Sequence, residues 1–273
     1  MRKYVYPLII LVCAAAYYFY ENKAVSIYSQ ENRSPEELLN ADVNGRGANS
    51  LSRKDFLPTS KNQIVNHHTY SLSYNEQHEQ AEWTAHVLRA SDIISRDYKR
   101  PYFEIDDQVT TGAAHWRNYK KSGYDKGHLI PAGDRKSTQA AYDETFLTSN
   151  ISPQRHDFNA GIWNTLEQKT RYYAQRYEEL YVITGPVLKE GLKSIGTEKV
   201  SVPEQYYKIL YRYDANGGKM LAFLMPHQDT NTSIYDFISS VDEIERLTGT
   251  DFFYQLPDAI ENRLEAGKSA KGW

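Results

Sequence analysis

Short apolar runs alternate with polar turns over most of the chain, which predicts a mixture of strands and helices. Residues 67–75, HHTYSLSYN, alternate as a half-buried strand does. Residues 181–187 form a continuous apolar strand pattern, and residues 206–214 and 219–226 flank Ala-Asn-Gly-Gly, which indicates a β-hairpin. The order of elements is not a regular βαβ alternation. We therefore predict an α+β fold with a mixed or antiparallel sheet core.

Two further segments have patterns that indicate helices. The spacing of apolar residues over 82–94, EWTAHVLRASDII, is helix-like or mixed. Residues 233–249, SIYDFISSVDEIERLTG, predict a late helix that Gly249 closes at a C-cap position. The folded part is expected to start near Ile64.

The N-terminal quarter of the chain differs in composition from the remainder. Residues 1–20 carry two cationic residues and then the uncharged stretch 4–20, which is typical of a secretory signal peptide or an N-terminal membrane anchor. Both alternatives stay open, and both predict an exported protein, either secreted after cleavage or anchored in a membrane through residues 4–20 and facing the periplasm or exterior. Residues 21–61 are polar and without a period, which predicts a flexible tether. The enzyme domain is then expected over residues 62–273.

Composition excludes several functional classes. The 273 residues include 32 Lys and Arg against 35 Asp and Glu, and the resulting formal charge of −3 excludes a polybasic nucleic-acid coat protein. Apolar residues make up 40% and charged residues 25%, the usual mixture for a globular protein. Because the only cysteine, Cys13, lies in the N-terminal apolar run, the folded part has no disulfide, cysteine zinc site or thiol nucleophile.

Residues 124–171 contain the pattern that points to chemistry. We interpret them as a short strand that ends at His128, an irregular loop, a returning segment at 146–154 and a helix that begins near Asn159. An amide oxygen suits Mg²⁺, which takes few protein ligands and keeps several waters. A histidine facing such an ion can deprotonate water, because its ordinary pKa lies near 6.5.

Spacing on the predicted helix places Asn159, Trp163 and Glu167 on one face, at positions i, i+4 and i+8. Each of these residues also has a simpler interpretation. Trp163 is most simply a core anchor, Asn159 fits a helix N-cap, and Glu167 fits a solvated helix face. His128 taken alone is more often a hydrogen-bonding histidine than a catalyst, so only the joint pattern indicates phosphodiester hydrolysis.

This stretch resembles the DNA/RNA non-specific endonuclease family, the ββα-metal or His-Me finger nucleases that include endonuclease G and secreted bacterial nucleases. The residues that carry the resemblance are Asp125-Lys126-Gly127-His128 with Pro131-Ala132, then Ser149-Asn150-Ile151-Ser152-Pro153-Gln154, then Phe158-Asn159, Gly161, Trp163 and Leu166-Glu167. Weaker similarity covers roughly residues 66–262. The resemblance implies a ββα-metal active-site unit and a magnesium-dependent endonuclease, with Mn²⁺ as a substitute ion. Such an enzyme cuts DNA and RNA with little sequence preference and leaves 5′ phosphates.

The resemblance also implies a role for each matching position. His128 matches the general base, Asn159 the direct magnesium ligand, and Glu167 the carboxylate that holds metal-bound waters. Asn150 and Asp125 match residues that bind substrate or support the site.

The arginine that stabilises the charged phosphorane is expected at Arg100, with Arg96 and Arg117 as rivals. Lys126 stands where the family usually has arginine. This exchange keeps the charge but loses the bidentate fork, so we expect reduced or retuned activity. Residues 96–136 hold nine basic and six acidic residues, which favours phosphate binding unless these are merely solvated loop charges.

Two other functions stay open at this point. One is a catalytically weak or silent nucleic-acid-binding module of the same fold, against which the intact His128, Asn159 and Glu167 argue. The other is an export-pathway or envelope interaction protein whose functional part is the tether 21–61. The sequence leaves the preference between DNA and RNA, the oligomeric state and any protein inhibitor undetermined.

Overall fold

A computed structural model of the protein describes residues 51–52, 54–214 and 217–273. Within these ranges the strands are β1 (Gln63–Asn66), β2 (Ser71–Asn75), β3 (Gln80–Arg89), β4 (Asp125–His128), β5 (Ile151–Gln154), β6 (Glu179–Pro186), β7 (Ser194–Ile195), β8 (Val200–Ser201), β9 (Gln205–Arg212), β10 (Lys219–Pro226) and β11 (Ile238–Ser239). The helices are α1 (Gln139–Glu144), α2 (His156–Phe158), α3 (Asn164–Tyr177), α4 (Val241–Thr248) and α5 (Asp258–Glu265), and a π-helical turn, Asn159–Trp163, joins α2 to α3.

Seven strands form one sheet in the order β1-β2-β3-β6-β9-β10-β11, and every neighbouring pair is antiparallel. The predicted α+β class with an antiparallel sheet core is confirmed. β9 and β10 pair from Arg212 and Lys219 onward as the predicted hairpin. Gly218 in their connection has φ +83°, and a Cβ there would lie 2.2 Å from the carbonyl oxygen of Arg212, so this turn requires glycine.

Both faces of the sheet are covered, which explains why its central strands have continuous apolar patterns. Trp163 and Leu166, from the π-turn and α3, belong to the core on one face. On the other face, Phe56 packs edge-on against Tyr181 and Tyr211, with ring centroids 5.5 and 5.3 Å apart.

The end of the predicted tether belongs to the fold, and the domain therefore begins before the predicted residue 62. Besides the ring contacts of Phe56, the backbone N–H of Thr59 donates to the carbonyl of Asp251 at 2.9 Å, and the Ser60 hydroxyl donates to Glu82 at 2.6 Å. These partners are distant in sequence, so the polar composition of the segment did not reveal them. The predictions for residues 1–20 and for most of 21–61 lie outside the described residues.

Two predicted helices are different in the structure. Residues 82–94 lie mainly in β3, a central strand that is buried on both faces and therefore has no clean two-residue period. The late helix is shorter than predicted, because Ser240 caps α4 by accepting from the N–H of Glu243 at 3.2 Å. It ends at Gly249, whose φ of 68° is left-handed as predicted. No helix among the described residues is long and apolar enough to cross a membrane.

Candidate active site

A short hairpin and a helix form the unit predicted to carry the chemistry. β4 pairs with β5 in antiparallel register, Asp125 opposite Gln154 and His128 opposite Ile151. At Gly127 a Cβ would lie 2.1 Å from the Oε1 and 2.5 Å from the Cγ of the buried Gln154 side chain, so a larger residue here would displace that side chain. The pairing of β4 with β5 therefore fixes the backbone position of His128.

The His128 imidazole packs against two aromatic rings that also contact each other. Its centroid is 5.4 Å from that of Phe103 and 4.9 Å from that of Phe146. The Nε2 atom is buried and has no hydrogen-bond partner among the described residues. Burial, with a further contribution from the charge of Arg100, lowers the pKa of His128 to about 3. The ring is therefore neutral at pH 7, with a nitrogen that no protein group uses.

Two cations lie beside the same rings. The guanidinium carbon of Arg100 lies 5.3 Å from the centroid of Phe146, and the Lys126 Nζ lies 5.3 Å from that of Phe103. Lys126 and His128 are two residues apart on β4, so they project from the same side of the strand. Arg100, Lys126 and His128 thus lie around the same pair of rings, Phe103 and Phe146.

The rival arginines have other partners. Arg96 donates to the Ser137 carbonyl at 3.0 Å, and the Arg117 guanidinium lies over the ring of Trp116 at 5.5 Å. Among the three candidates, Arg100 is the one whose charge acts on His128.

Asn159 is oriented by a carboxylate from the hairpin. Its Nδ2 donates to the Asp125 Oδ2 at 3.0 Å, and the same oxygen contacts the Nδ1 of His156 at 2.9 Å. The amide oxygen of Asn159 makes no hydrogen bond within the described part of the chain, so it can coordinate a cation. Asn159 does not begin a helix as predicted, because α2 precedes it and the π-turn follows, with a non-helical Gly161.

Asn150 lies behind the site and is fully engaged with backbone. Its Oδ1 accepts from the N–H of Ile130 at 2.9 Å, while its Nδ2 donates to the carbonyls of Ile130 at 3.0 Å and Thr145 at 2.9 Å. The side chain is completely buried. Asn150 therefore fixes the loop that follows His128 and has no free polar atom for substrate.

Glu167 lies on α3, without a hydrogen bond to any described residue. Burial raises its pKa to about 7, with Lys208 and Arg171 opposing the shift and Asp134 adding to it. Arg171, one turn further along α3, donates to the Asp134 Oδ1 at 2.8 Å. Glu167 is thus part of a charged group beside α3, and among the described residues it hydrogen-bonds to neither His128 nor Asn159.

Several members of this charged group were missed by sequence reasoning. Lys208 is buried on β9, where its Nζ donates to the Thr184 hydroxyl at 2.6 Å, and no local pattern marks it. Arg171 had a signal, since it follows Glu167 at i+4 on the same helix face. The aromatic rings around His128 had none, because they come from separate loops.

The residues present fit a hard divalent ion. Asn159 offers an unused amide oxygen that Asp125 holds in place, and Glu167 offers an unbonded carboxylate. His128 adds a neutral imidazole on the strand that also carries Asp125. The site thus contains a neutral imidazole, an amide oxygen without a hydrogen bond, a carboxylate and two cations among the described residues, groups that are compatible with phosphodiester hydrolysis.

Comparison with known proteins identifies the class to which this arrangement belongs. The model of the DNA/RNA non-specific endonuclease family matches residues 47–259. The chain therefore belongs to that family, which confirms the resemblance stated above. Membership makes the protein a nuclease, a hydrolase that acts on phosphodiester bonds.

Particular relatives agree with this assignment. The chain is 33% identical to the mitochondrial nuclease EXOG of Danio rerio over 73% of its own length and 63% of that protein. It is 32% identical to nuclease C1 of Cunninghamella echinulata var. echinulata, over 73% of this chain and 86% of that protein. A solved structure of an EndoG/EndoGI complex has a TM-score of 0.68 and 31% identity, and the match covers 75% of this chain and 91% of that one.

These relatives overturn the predicted location. EXOG and human endonuclease G, the latter 30% identical over 70% of this chain, are named as mitochondrial proteins, so the prediction of an exported protein is wrong. A cationic start before an apolar stretch does not by itself separate one targeting route from another. The segment on which the prediction rested, residues 1–20, lies outside the described residues.

Proposed function

We propose that the protein is a magnesium-dependent endonuclease, with Mn²⁺ as a substitute ion, that cuts DNA and RNA with little sequence preference and leaves 5′ phosphates. The observation that carries the proposal is the placement of His128 on β4: Arg100 and Lys126 lie over the rings that contact it, and Asp125 of the same strand orients Asn159. In the hydrolytic step His128 accepts a proton from water, the water oxygen attacks phosphorus, and the bond from phosphorus to the 3′ oxygen breaks. The released 3′ oxygen takes a proton from solvent.

The low pKa of His128 is a property of the protein without substrate. Arg100 contributes to it, because a cation next to the imidazole disfavours protonation. A phosphodiester anion that binds beside Arg100 would offset that charge and raise the proton affinity of the ring. The base would therefore become stronger when substrate is present, closer to the pKa that general-base catalysis favours.

Asn159 is the proposed direct ligand of the ion, and Asp125 is the residue that aims it. Because the amide nitrogen of Asn159 donates to Asp125, its oxygen points away from that bond and remains available. When bound, magnesium would stabilise the charge that develops on the phosphate and on the leaving oxygen. Glu167, in its ionised form, would hold water molecules of the ion, and Asn150 would keep the loop after His128 in place.

Contacts to phosphate, which carry no direct sequence information, fit a lack of base preference. Arg100 and Lys126 are two cations beside His128. A groove of about 640 Å³ is lined in part by the segment before β4 and includes three exposed cations, Arg117, Lys120 and Lys121. A larger groove, of about 790 Å³, has no part in this proposal. We propose that the backbone of the nucleic acid passes along this smaller groove.

The test is digestion of supercoiled plasmid and of total RNA by the purified protein, with Mg²⁺, with Mn²⁺ and with a chelator. We expect cleavage of both substrates with either ion, none with the chelator, and 5′ phosphates on the products. His128→Ala is the control for a contaminating nuclease. Binding of nucleic acid without cleavage under any of these conditions would favour the silent binding module instead.

A further inference from the structure

A second cluster of carboxylates lies near the C-terminus, where α4 contacts α5. Side-chain oxygens of Asp242, Glu245 and Glu265 all lie within 4.8 Å of one another. Asp242 is exposed, Glu245 is half-buried, and Glu265 is only 5% exposed. The cluster is therefore buried on the side of Glu265 and accessible to solvent on the side of Asp242.

The cluster is separate from the active site. The segment that joins α4 to α5 packs Phe252 against Tyr207, and Phe253 against Tyr181 and Tyr211. Tyr181 and Tyr211 lie on the sheet face opposite the one that Trp163 and α3 cover. The three carboxylates thus belong to the layer that is not involved in the proposed hydrolysis.

Glu265 lacks a partner of its own. Its Oε1 is buried and accepts no hydrogen bond from any described residue, an arrangement that is costly for a carboxylate oxygen. Burial is the largest cause that raises the pKa of Glu265 to about 9, and four nearby acidic residues add to the shift, namely Glu245, Glu261, Asp242 and Asp251. The cluster therefore combines a buried, unsatisfied oxygen with an excess of negative charge.

We propose that Asp242, Glu245 and Glu265 form a binding site for a hard divalent cation of the calcium class. Three carboxylates can supply most of the six to eight oxygens that Ca²⁺ takes, whereas Mg²⁺ keeps several waters and uses fewer protein ligands. Glu245 is already held in position, because its Oε1 accepts from the N–H of Phe252 at 2.7 Å. A cation here joins α4 to α5 and stabilises the C-terminal layer.

A proton shared among the carboxylates would also relieve their repulsion. A thermal unfolding experiment distinguishes a bound cation from a shared proton. All samples are full-length protein with Asn159→Ala, which removes the proposed ligand at the active site. They are freed of metal with a chelator, dialysed and measured at pH 8 with and without millimolar CaCl₂. At about a hundredfold excess over its Kd, calcium should raise Tm by about 5 to 10 °C.

Substitutions then assign the effect to the cluster. Glu265→Gln should remove the shift, and Asp242→Asn, an exposed and conservative change, should weaken calcium affinity by about tenfold when measured by calorimetry. Glu243→Gln is the matched control: this residue lies on α4 but bonds to Arg246 at 2.6 Å, so the calcium shift should persist.

Two results would overturn the proposal. One is a calcium shift of equal size with and without Glu265→Gln. The other is no calcium shift at all, together with a higher Tm for Glu265→Gln alone, which would show that a proton occupies the cluster. Because Asn159 is already replaced in every sample, neither result bears on the nuclease assignment.

Discussion

Two histidines, the buried His67 and the half-buried His128, show how differently the scaffold and the candidate site treat polar groups. His67 contacts the Asp106 Oδ2 through Nε2 at 2.8 Å and Gln108 through Nδ1 at 3.2 Å. Asp106 in turn accepts from the Ser149 hydroxyl and from the N–H of Gln108. His128 is packed by two rings, yet its Nε2 has no partner in the described structure. Both ring nitrogens of His67 thus have hydrogen-bond partners in the protein, whereas the Nε2 of His128 has none among the described residues.

The two asparagines of the predicted motif repeat this contrast. Asn150 uses both ends of its amide on backbone groups, whereas Asn159 uses only its nitrogen, on Asp125. The amide of Asn150 is therefore satisfied by the described structure, whereas the oxygen of Asn159 remains available to a ligand. From this contrast we expect Asn150 to maintain the fold and Asn159 to bind the metal ion.

The largest effect, on cleavage rate and on stability, is expected when each of the two histidines is replaced by alanine in turn. His128→Ala should lower the cleavage rate by at least about 10³-fold and leave Tm nearly unchanged, because it removes a base and no hydrogen bond. His67→Ala should do the reverse, with a loss of about 3 kcal/mol in the free energy of unfolding, since the Asp106 charge stays buried without its partner. Plasmid cleavage and urea unfolding on both variants measure this. If both variants lose stability equally, the contrast is false.

The second prediction compares Asn159 and Glu167, the two residues proposed to hold the ion. Asn159→Ala should lose both activity and its response to magnesium, whereas Glu167→Gln should keep magnesium-stimulated cleavage at about 10- to 100-fold lower rate. The reason is that Asn159 would contact the ion and Glu167 only its waters. Magnesium titrations of the cleavage rate decide, and equal, complete loss in both variants would show that these roles are wrongly ordered.

The active site was more predictable from sequence than some of the scaffold around it. Asp125, His128 and Asn159 lie in short blocks whose order and spacing are themselves the signal. β3 was not predicted clearly, because burial on both faces removes the period that identifies a strand. The packing of Phe56 depends on rings more than 120 residues away, and the π-turn at Asn159 alters a local spacing that had predicted a regular helix.

A smaller effect is expected at Lys126, the position at which the resemblance to the family implies an arginine. Lys126→Ala should lower the cleavage rate by about tenfold or more, and Lys126→Arg should preserve or raise it by restoring a bidentate contact to phosphate. On duplex DNA the alanine variant should also reduce the log-log salt dependence of binding by about one unit. Unchanged rate and salt dependence in Lys126→Ala would place this residue outside the substrate path.

The smallest effect concerns acid stability, and it tests a third histidine, which is buried. Burial and the charge of Arg135 lower the pKa of His86 to about 3, against about 6.5 in the unfolded chain. As pH falls below 6.5 the unfolded state binds a proton that the native state does not, so stability decreases. Between pH 6.5 and 5.5 His86 alone should contribute a loss of about 1 kcal/mol to the wild type. The loss of stability should be smaller in His86→Leu, and urea unfolding at each pH measures it. Identical pH dependence in the two proteins would refute the low pKa of His86.

The most direct test of the central claim is chemical rescue of the proposed base. His128→Gly leaves a gap beside Phe103 and Phe146 into which free imidazole can fit. Cleavage of plasmid by this variant in magnesium should be lower than wild type by at least about 10³-fold, and it should rise with the concentration of neutral imidazole. A folded variant that cleaves at the wild-type rate without imidazole, or that does not respond to imidazole at any concentration, would contradict the claim that His128 takes the proton from water.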